Sequence, residues 1–269
     1  MKKILGLASL LFSFGTYAQT ASNGGIHLQK GQVINALTTT GTDVDMGMGS
    51  MKNDMSAKMK ITIIGEDANT YTFVTQNVSM KISVDGMGQS MTFDSDKPED
   101  MNGEMGKQLG GKLNKVDTFL VTKTDGKVTK LSVAEEEENP FMMGMGSQNS
   151  SGSSSYFMTL PTNTIGKSWS DSVTVKNSKI KNNYTLQSIE NGIATIKMNS
   201  TMDGTNEIET QGMTMNMTIN LKTDAILKLN TQTGIVISNN STADMTGNMD
   251  AMGQQIPINS KITSSSTLQ

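Results

Sequence analysis

Apolar and polar residues alternate along much of the chain, which is the pattern of antiparallel strands with one buried face. The stretch 211–223, QGMTMNMTINLKT, shows it clearly, with five apolar residues at every second position: Met213, Met215, Met217, Ile219 and Leu221. An earlier stretch has the same period at Met59, Ile61, Ile63, Tyr71, Phe73, Val78, Met80, Ile82 and Val84. The chain is therefore predicted to be mainly β.

Turn residues divide these runs into long antiparallel hairpins. The predicted hairpins span residues 59–84, 121–131, 184–198 and 225–237, with turns at 65–67, 124–126, 191–192 and 231–234. One stretch, 98–113, favours a short helix because it begins with proline and two acids and ends at a glycine pair. Two Met- and Gly-rich stretches, 41–54 and 244–255, are predicted to be flexible.

The order of these features repeats, which predicts two similar halves. Lys30-Gly31-Gln32 opens the first half, and Gly166-Lys167-Ser168-Trp169 opens the second. Each half continues with a long hairpin, a Met-bearing strand and a second hairpin. The predicted boundaries are a signal peptide at 1–18, an N-terminal β half at 19–134, an acidic and Ser/Gly-rich linker at 135–155 and a C-terminal β half at 156–269. The halves are expected to form a curved or half-barrel-like sheet; the pattern does not distinguish one sheet from two.

The N-terminus has the features of a secretory signal peptide. Lys2 and Lys3 precede an apolar run too short to cross a bilayer, and Thr16-Tyr17-Ala18 fits a cleavage site before Gln19. An exported, periplasmic or cell-envelope protein without a transmembrane span is predicted. Removal of Lys2 and Lys3 takes the formal charge from −3 to −5.

Composition excludes several classes of function. The basic residues are all lysine, so the bidentate arginine contacts typical of nucleic-acid binding are absent. Cys is absent and His27 is the sole histidine, which leaves no set of ligands for zinc and only one imidazole that could serve as the base for a serine nucleophile. No enzyme activity and no cofactor are predicted.

The 23 methionine residues permit two interpretations, as metal ligands or as apolar packing. Thioethers bind Cu(I), and the flexible stretches offer candidate ligands in Met46, Met48, Met51, Met142, Met143 and Met145. On the strand 213–221, however, Ile219 and Leu221 continue the methionine stripe, and a metal site gives no reason for them. Unbranched methionine also packs adaptably. That strand is predicted to form an apolar wall, with Met91 and Phe93 as its counterpart in the first half.

The expected function is non-enzymatic: an envelope protein that holds a lipid, a lipidated partner or another apolar ligand on a concave face lined by Met, Ile and Leu. A Cu(I)-binding protein and a purely structural module remain the alternatives. The sequence says nothing about oligomeric state.

Several short motifs resemble an uncharacterised family of exported bacterial proteins, described only as a domain of unknown function. They are the Lys30-Gly31-Gln32 opening, Met87-Gly88-Gln89, the turn Phe93-Asp94-Ser95-Asp96 before a short helix, and Gly166-Lys167-Ser168-Trp169. The resemblance implies Met-rich strands and no catalytic residues. More distantly, the hairpin pattern is similar to the half-barrels of periplasmic lipoprotein carriers, a likeness of fold that does not establish function.

Overall fold

The computed structural model describes residues 24–47, 49–86, 88–113, 115–131, 156–175, 177–210, 213–251 and 254–269. The predicted signal peptide and the predicted linker at 135–155 lie outside these ranges. The strands are β1 Val33–Asp45, β2 Ser50–Glu66, β3 Thr70–Gly86, β4 Gln89–Asp94, β5 Val116–Thr122, β6 Val128–Lys130, β7 Ser168–Val175, β8 Ser178–Glu190, β9 Ile193–Thr210, β10 Met213–Asn230, β11 Ile235–Ala251 and β12 Gln254–Leu268. The helices are α1 Pro98–Asn102, α2 Glu104–Leu109 and a 3-10 turn at Gly110–Lys112.

All twelve strands form one open antiparallel sheet, which confirms the predicted fold class and shows one sheet rather than two. The order is β6-β5-β3-β2-β1-β12-β11-β10-β9-β8-β7, and β4 also pairs with β3. The halves meet in the middle, where β1 pairs with β12. The prediction of flexibility at 41–54 and 244–255 was wrong, because both stretches belong largely to paired strands, where cross-strand pairing overrides weak strand propensity.

The sheet has one apolar face and one polar face. Along β1 and β3, alternate residues such as Ile34, Tyr71 and Phe73 are buried, while their neighbours are exposed or half-buried. One residue departs from the predicted alternation: Val78 is an extra residue at a register shift between β2 and β3 and is 45% exposed. Such bulges bend the strand that carries them.

At the end of the sheet that carries the β5–β6 and β10–β11 turns, the sheet curls towards its apolar face. The Ile26 N–H donates to the Lys123 carbonyl after β5, and the next N–H, of His27, donates to the Thr233 carbonyl between β10 and β11. Two carbonyls bound by adjacent residues lie within about 10 Å of each other, given the length of one residue. The order places β3, β2, β1 and β12 between them, which in a flat sheet would separate them by about 24 Å.

Hydrogen bonds show that the halves repeat the same structure at their openings. Gly31 has a φ of +88° and donates to the Ile63 carbonyl at 2.7 Å; Gly166 has a φ of +83° and donates to the Leu186 carbonyl at 2.8 Å. The Ile63 N–H donates to the Gln32 carbonyl at 3.0 Å, and in the second half the Leu186 N–H donates to the Lys167 carbonyl at 3.1 Å. Register shifts follow at equivalent places, after Ile63 and after Leu186.

The helices interrupt a strand in one half that is continuous in the other. β4 and β5 both pair with β3 on the side opposite β2, β4 along residues 81–86 and β5 along residues 70–76. In the second half, β10 alone pairs with the whole of β9. Residues 95–113 thus form a helical insert within the strand that corresponds to β10. The single predicted helix is divided in two because the backbone at Gly103 is extended.

On the polar face, opposite charges lie directly across from each other over neighbouring strands. The register pairs Asp85 with Lys52, Lys52 with Asp43, Asp43 with Lys261, Lys261 with Asp244, and Asp244 with Lys222. Each opposite pair stabilises its register modestly, by about 0.2–1 kcal/mol. None of the helices in the described residues has the length and apolar composition needed to cross a membrane.

We expect Gly234→Ala to destabilise the protein more than Gly166→Ala. Both glycines have positive φ, +71° and +83°, which costs an alanine about 1–2 kcal/mol. A Cβ on Gly234 would also lie 2.5 Å from Ile26 Cδ1 and 3.1 Å from the Met158 carbonyl, whereas nothing lies within 4 Å of one on Gly166. Urea unfolding should show a loss of about 2–4 kcal/mol for Gly234→Ala; equal losses would mean that this contact does not hold the curled end together.

Candidate functional site

Two segments cover the apolar face at its curled end. The first strap, residues 24–32, and the second strap, residues 156–167, lie across it. Phe157 packs edge-on against Phe73, with ring centroids 5.0 Å apart, and Phe73 stacks on Phe119. Leu160 belongs to the core of the second half with Leu186, Ile196 and Leu227. These contacts close the curled end.

The helical insert covers the opposite end of the face in the first half. Leu109 and Leu113 are buried together with Ile82, Val84 and Phe93 of the sheet. Met51, Met55, Met101 and Met105 pack around this cluster, and Met80 is inside it. Methionine therefore serves here as packing between strand and helix.

The corresponding end of the second half has no such cover among the described residues. It carries a group of half-buried apolar side chains, which we call the open patch: Ile180, Met202, Met217, Ile219, Leu221, Met245, Met249 and Ile256. The register makes these residues neighbours, since Leu221 pairs with both Met202 and Met245, and Met217 pairs with Met249. Val173, 48% exposed, continues the row at the edge strand β7.

The open patch has the dimensions of a small binding surface. From Met217 to Leu221 it extends about 14 Å along β10, and from β8 to β12 it extends about 19 Å across the strands. The resulting area, about 270 Å², approaches that of the largest apolar patches on soluble proteins, which are often functional. Gly204 and Gly247 pair with Ile219 from either side. The Ser178 side chain occupies the space that a Cβ on Gly204 would need, and the Thr218 carbonyl occupies that of Gly247.

The residues predicted as a ligand wall divide between covered and open positions. Met217 and Met91 are equivalent in the two halves, and so are Ile219 and Phe93, by their pairing with corresponding residues of β9 and β3. Met217, Ile219 and Leu221 lie in the open patch, and the side chains of Met213 and Met215 lie outside the described part of the structure. Phe93 is 2% exposed beneath the helical insert, and Met91 is 39% exposed at the edge. The structure does not bring the two groups together, because β4 and β10 are separated by β3, β2, β1, β12 and β11.

Two of the alternative copper ligands lie within the described residues. Met46 is half-buried in the β1–β2 turn, and Met51 packs against the cluster under the helical insert. Met48, Met142, Met143 and Met145 lie outside the described residues. Among the residues that are described, no group of three or more His, Asp or Glu is placed to hold a metal ion.

A row of polar side chains crosses the apolar face between the open patch and the strapped core. This polar row consists of Asp171, Asn182, Ser200 and Thr223, each paired with the next across β7, β8, β9 and β10. Asp171 Oδ1 accepts from Asn182 Nδ2 at 2.7 Å, and Asp171 Oδ2 accepts from the Tyr184 hydroxyl at 3.2 Å. Burial, together with the nearby Asp171 carboxylate, raises the pKa of Tyr184, so its hydroxyl stays protonated. Trp169 stacks on Tyr184 at 5.4 Å, next to this row.

Sequence reasoning missed Met202, Met245, Met249 and Asp171 as parts of this site. The Met245 and Met249 positions fell in a stretch predicted to be flexible, and Met202 has few apolar neighbours in sequence. A register prediction across β9, β10 and β11 was the signal that could have found them, but period-two patterns fix the face of a strand and leave its long-range register open.

Two cavities lie on the polar face rather than on the open patch. One, of about 570 Å³, surrounds Gly41, Asp54 and Thr263; the other, of about 820 Å³, lies along the charged pairs and includes Asp43, Lys52 and Lys261. An apolar ligand on the open patch would lie against the sheet, because no segment of the described residues closes over the patch.

Comparisons with known proteins agree with this fold and assign no activity. A family of unknown function (DUF6263) matches residues 143–236, which is the part of the chain from the second strap to the start of β11 together with the residues before it. No curated protein matches the chain. A solved structure described as "Lipid-protein interactions in lipovitellin" is similar with a TM-score of 0.52 and 12% identity, over 90% of this chain. This chain spans about a quarter (25%) of the lipovitellin chain, and the likeness is one of fold.

We expect Phe93→Ala to destabilise the protein far more than Ile219→Ala, although the two positions are equivalent. Phe93 fills a closed cluster, so its loss should cost about 3–5 kcal/mol. Ile219 is only half-buried, and its loss should cost about 1–2 kcal/mol. Urea unfolding of both variants measures the difference; equal losses would show that the open patch is covered in solution.

Proposed function

We propose that this chain is a non-enzymatic exported protein of the cell envelope that holds an apolar ligand, a lipid or a lipidated partner, on the open patch. The observation that carries the proposal is the contrast between equivalent ends of the two halves. In the first half the helical insert buries Phe93, whereas in the second half Ile219 and its methionine neighbours have no cover among the described residues.

The chemistry of the patch favours a ligand of variable shape. Met202, Met217, Met245 and Met249 have flexible, polarisable side chains that can repack around different hydrocarbon chains. The dimension along β10, about 14 Å, is close to the hydrocarbon thickness of one bilayer leaflet, half of about 30 Å. The lipovitellin structure, named for its lipid–protein interactions, has a similar fold, which supports the proposal by analogy only.

We expect Leu221→Asp to weaken the binding of an acyl-chain ligand by at least about tenfold. The substitution places a charge in the patch, between Met202 and Met245, where a bound hydrocarbon would have to bury it. Delipidated protein can be titrated with an uncharged fluorescent monoacylglycerol, with far-UV circular dichroism to show that each variant is folded.

Ile226→Asp is the matched control, because Ile226 lies on the same strand, on the polar face, and is 36% exposed. It should bind within about twofold of the unsubstituted protein, as expected for a surface substitution away from the site. The proposal fails if the unsubstituted protein binds no acyl-chain ligand, or if both variants lose binding equally.

Export is a separate part of the proposal and has its own test. The mature protein recovered from envelope or periplasmic fractions should begin at Gln19, since Ala18 ends the predicted signal peptide. N-terminal sequencing measures this directly, with a Lys2→Glu, Lys3→Glu variant as the export-impaired control. Recovery of uncleaved protein in the cytosol alone would contradict it.

A further inference from the structure

We propose that the ligand of the open patch is a lipid with an ammonium-bearing head group, and that Asp171 and its polar row recognise that group. The inference rests on the proposed function, because the hydrocarbon part of such a lipid would occupy the open patch. It adds a head-group site and a charge preference to that function.

The register places head and tail sites side by side. Thr223 is two residues from Leu221 on β10, Ser200 two from Met202 on β9, and Asp171 two from Val173 on β7. Residues two apart on a strand point to the same face and lie about 7 Å apart. An amphiphile with its chain on the patch therefore meets the polar row at one end of that chain.

Asp171 gives this row a negative charge. On strands β7 to β12, whose registers are all described, it is the one Asp, Glu or Lys on the apolar face. Its neighbours Asn182 and Tyr184 donate hydrogen bonds to it but carry no charge. Within the described residues no lysine lies within ion-pair distance of Asp171, and the residue is solvent-exposed, so a ligand can reach it.

In the first half, a carboxylate on the apolar face has a lysine of the same chain as its partner. Asp117 lies on the apolar face of β5, and Lys130 of β6 pairs with it at 3.2 Å. Asp171 lies on the same face of the sheet, on the edge strand β7, and has no lysine partner among the described residues. An ammonium group supplies the missing charge, and it can donate hydrogen bonds to the free lone pairs of the carboxylate. A purely anionic head group would be repelled.

The test compares lysophosphatidylethanolamine with lysophosphatidylglycerol of the same acyl chain, because the two lipids differ in the ammonium group. Trp169 is the sole tryptophan and lies two residues from Asp171 on the same face of β7. Its fluorescence is therefore expected to change when a lipid binds. The full-length mature protein should bind the ethanolamine lipid about fivefold more tightly, and the preference should fall as salt is added.

Asp171→Asn keeps the size of the side chain and an acceptor oxygen and removes the charge. We expect it to lose the fivefold preference while its affinity for the glycerol lipid stays the same or rises. Asp203→Asn, on the polar face of β9 two strands away, is the matched control and should keep the preference. Thermal unfolding of each variant identifies any loss that comes from misfolding.

The outcomes separate the two proposals. If neither lipid binds, the proposed function fails and this inference fails with it. If both lipids bind equally, or if Asp171→Asn keeps the preference, the apolar-ligand function stands and the head-group site is overturned. Loss of preference in Asp203→Asn as well would assign the effect to overall charge and would also overturn it.

Discussion

A sheet one layer thick can bury an apolar face only if another part of the chain, or another molecule, covers it. This constraint explains most of the structure. The first strap carries Ile26 and Leu28 onto the curled end, the second strap adds Phe157 and Leu160, and the helical insert adds Leu109 and Leu113. The three buried clusters of the apolar face lie beneath these segments, and the open patch lies beneath none of them in the described part of the chain.

Curvature and cover depend on each other. Ile26 and His27 join the turns after β5 and β10, and the glycines of those turns, Gly126 and Gly234, both approach Ile26 Cδ1. A bulky side chain at either turn would push the strap away from the sheet. The turns can approach because Ser and Thr, with small side chains, line the central strands: Thr38 bonds to Ser266 at 3.2 Å and Thr40 to Ser264 at 3.4 Å.

The sequence allowed the strands, their apolar face and the repeat to be predicted, because alternation and turn residues are local signals. Asn191 and Gly192 have positive φ, as the predicted turn requires. What covers the face was not predictable in this way. The straps and the insert reach their positions through contacts between residues far apart in the chain, and Gly103 divides the helix at a point where propensity alone only weakens it.

The same limit applied to the candidate site. The stripe at Met217, Ile219 and Leu221 was visible because it is continuous in sequence, whereas Met202 and Met245 join it through the registers of β9 and β11. Phe93 carried the same local pattern as Ile219. Phe93 is a core residue because the helical insert buries it, whereas Ile219 at the equivalent position is not covered by any described segment. The sequence around Phe93 gives no sign of this burial.

Asp171 also bears on the exposed edge of the sheet. β7 is the terminal strand of the second half, and a charge that points to the apolar face of an edge strand opposes pairing with another sheet. At the first edge, β4 and β6 are short, which has the same effect. Edge protection accounts for a charge on β7, but it gives no reason for the uncharged row from Asn182 to Thr223, which continues inward across β8, β9 and β10.

Magnitudes indicate why a polar contact matters beside such a patch. Covering about 270 Å² of protein and a comparable area of ligand is worth about 14 kcal/mol at about 25 cal/mol per Å². Association costs about 4–15 kcal/mol, so hydrocarbon burial on an open surface gives binding that is reversible and undiscriminating. A head-group contact worth about 1 kcal/mol changes the dissociation constant about fivefold. For a lipid bound as proposed, selectivity therefore comes from the polar row and not from the apolar surface.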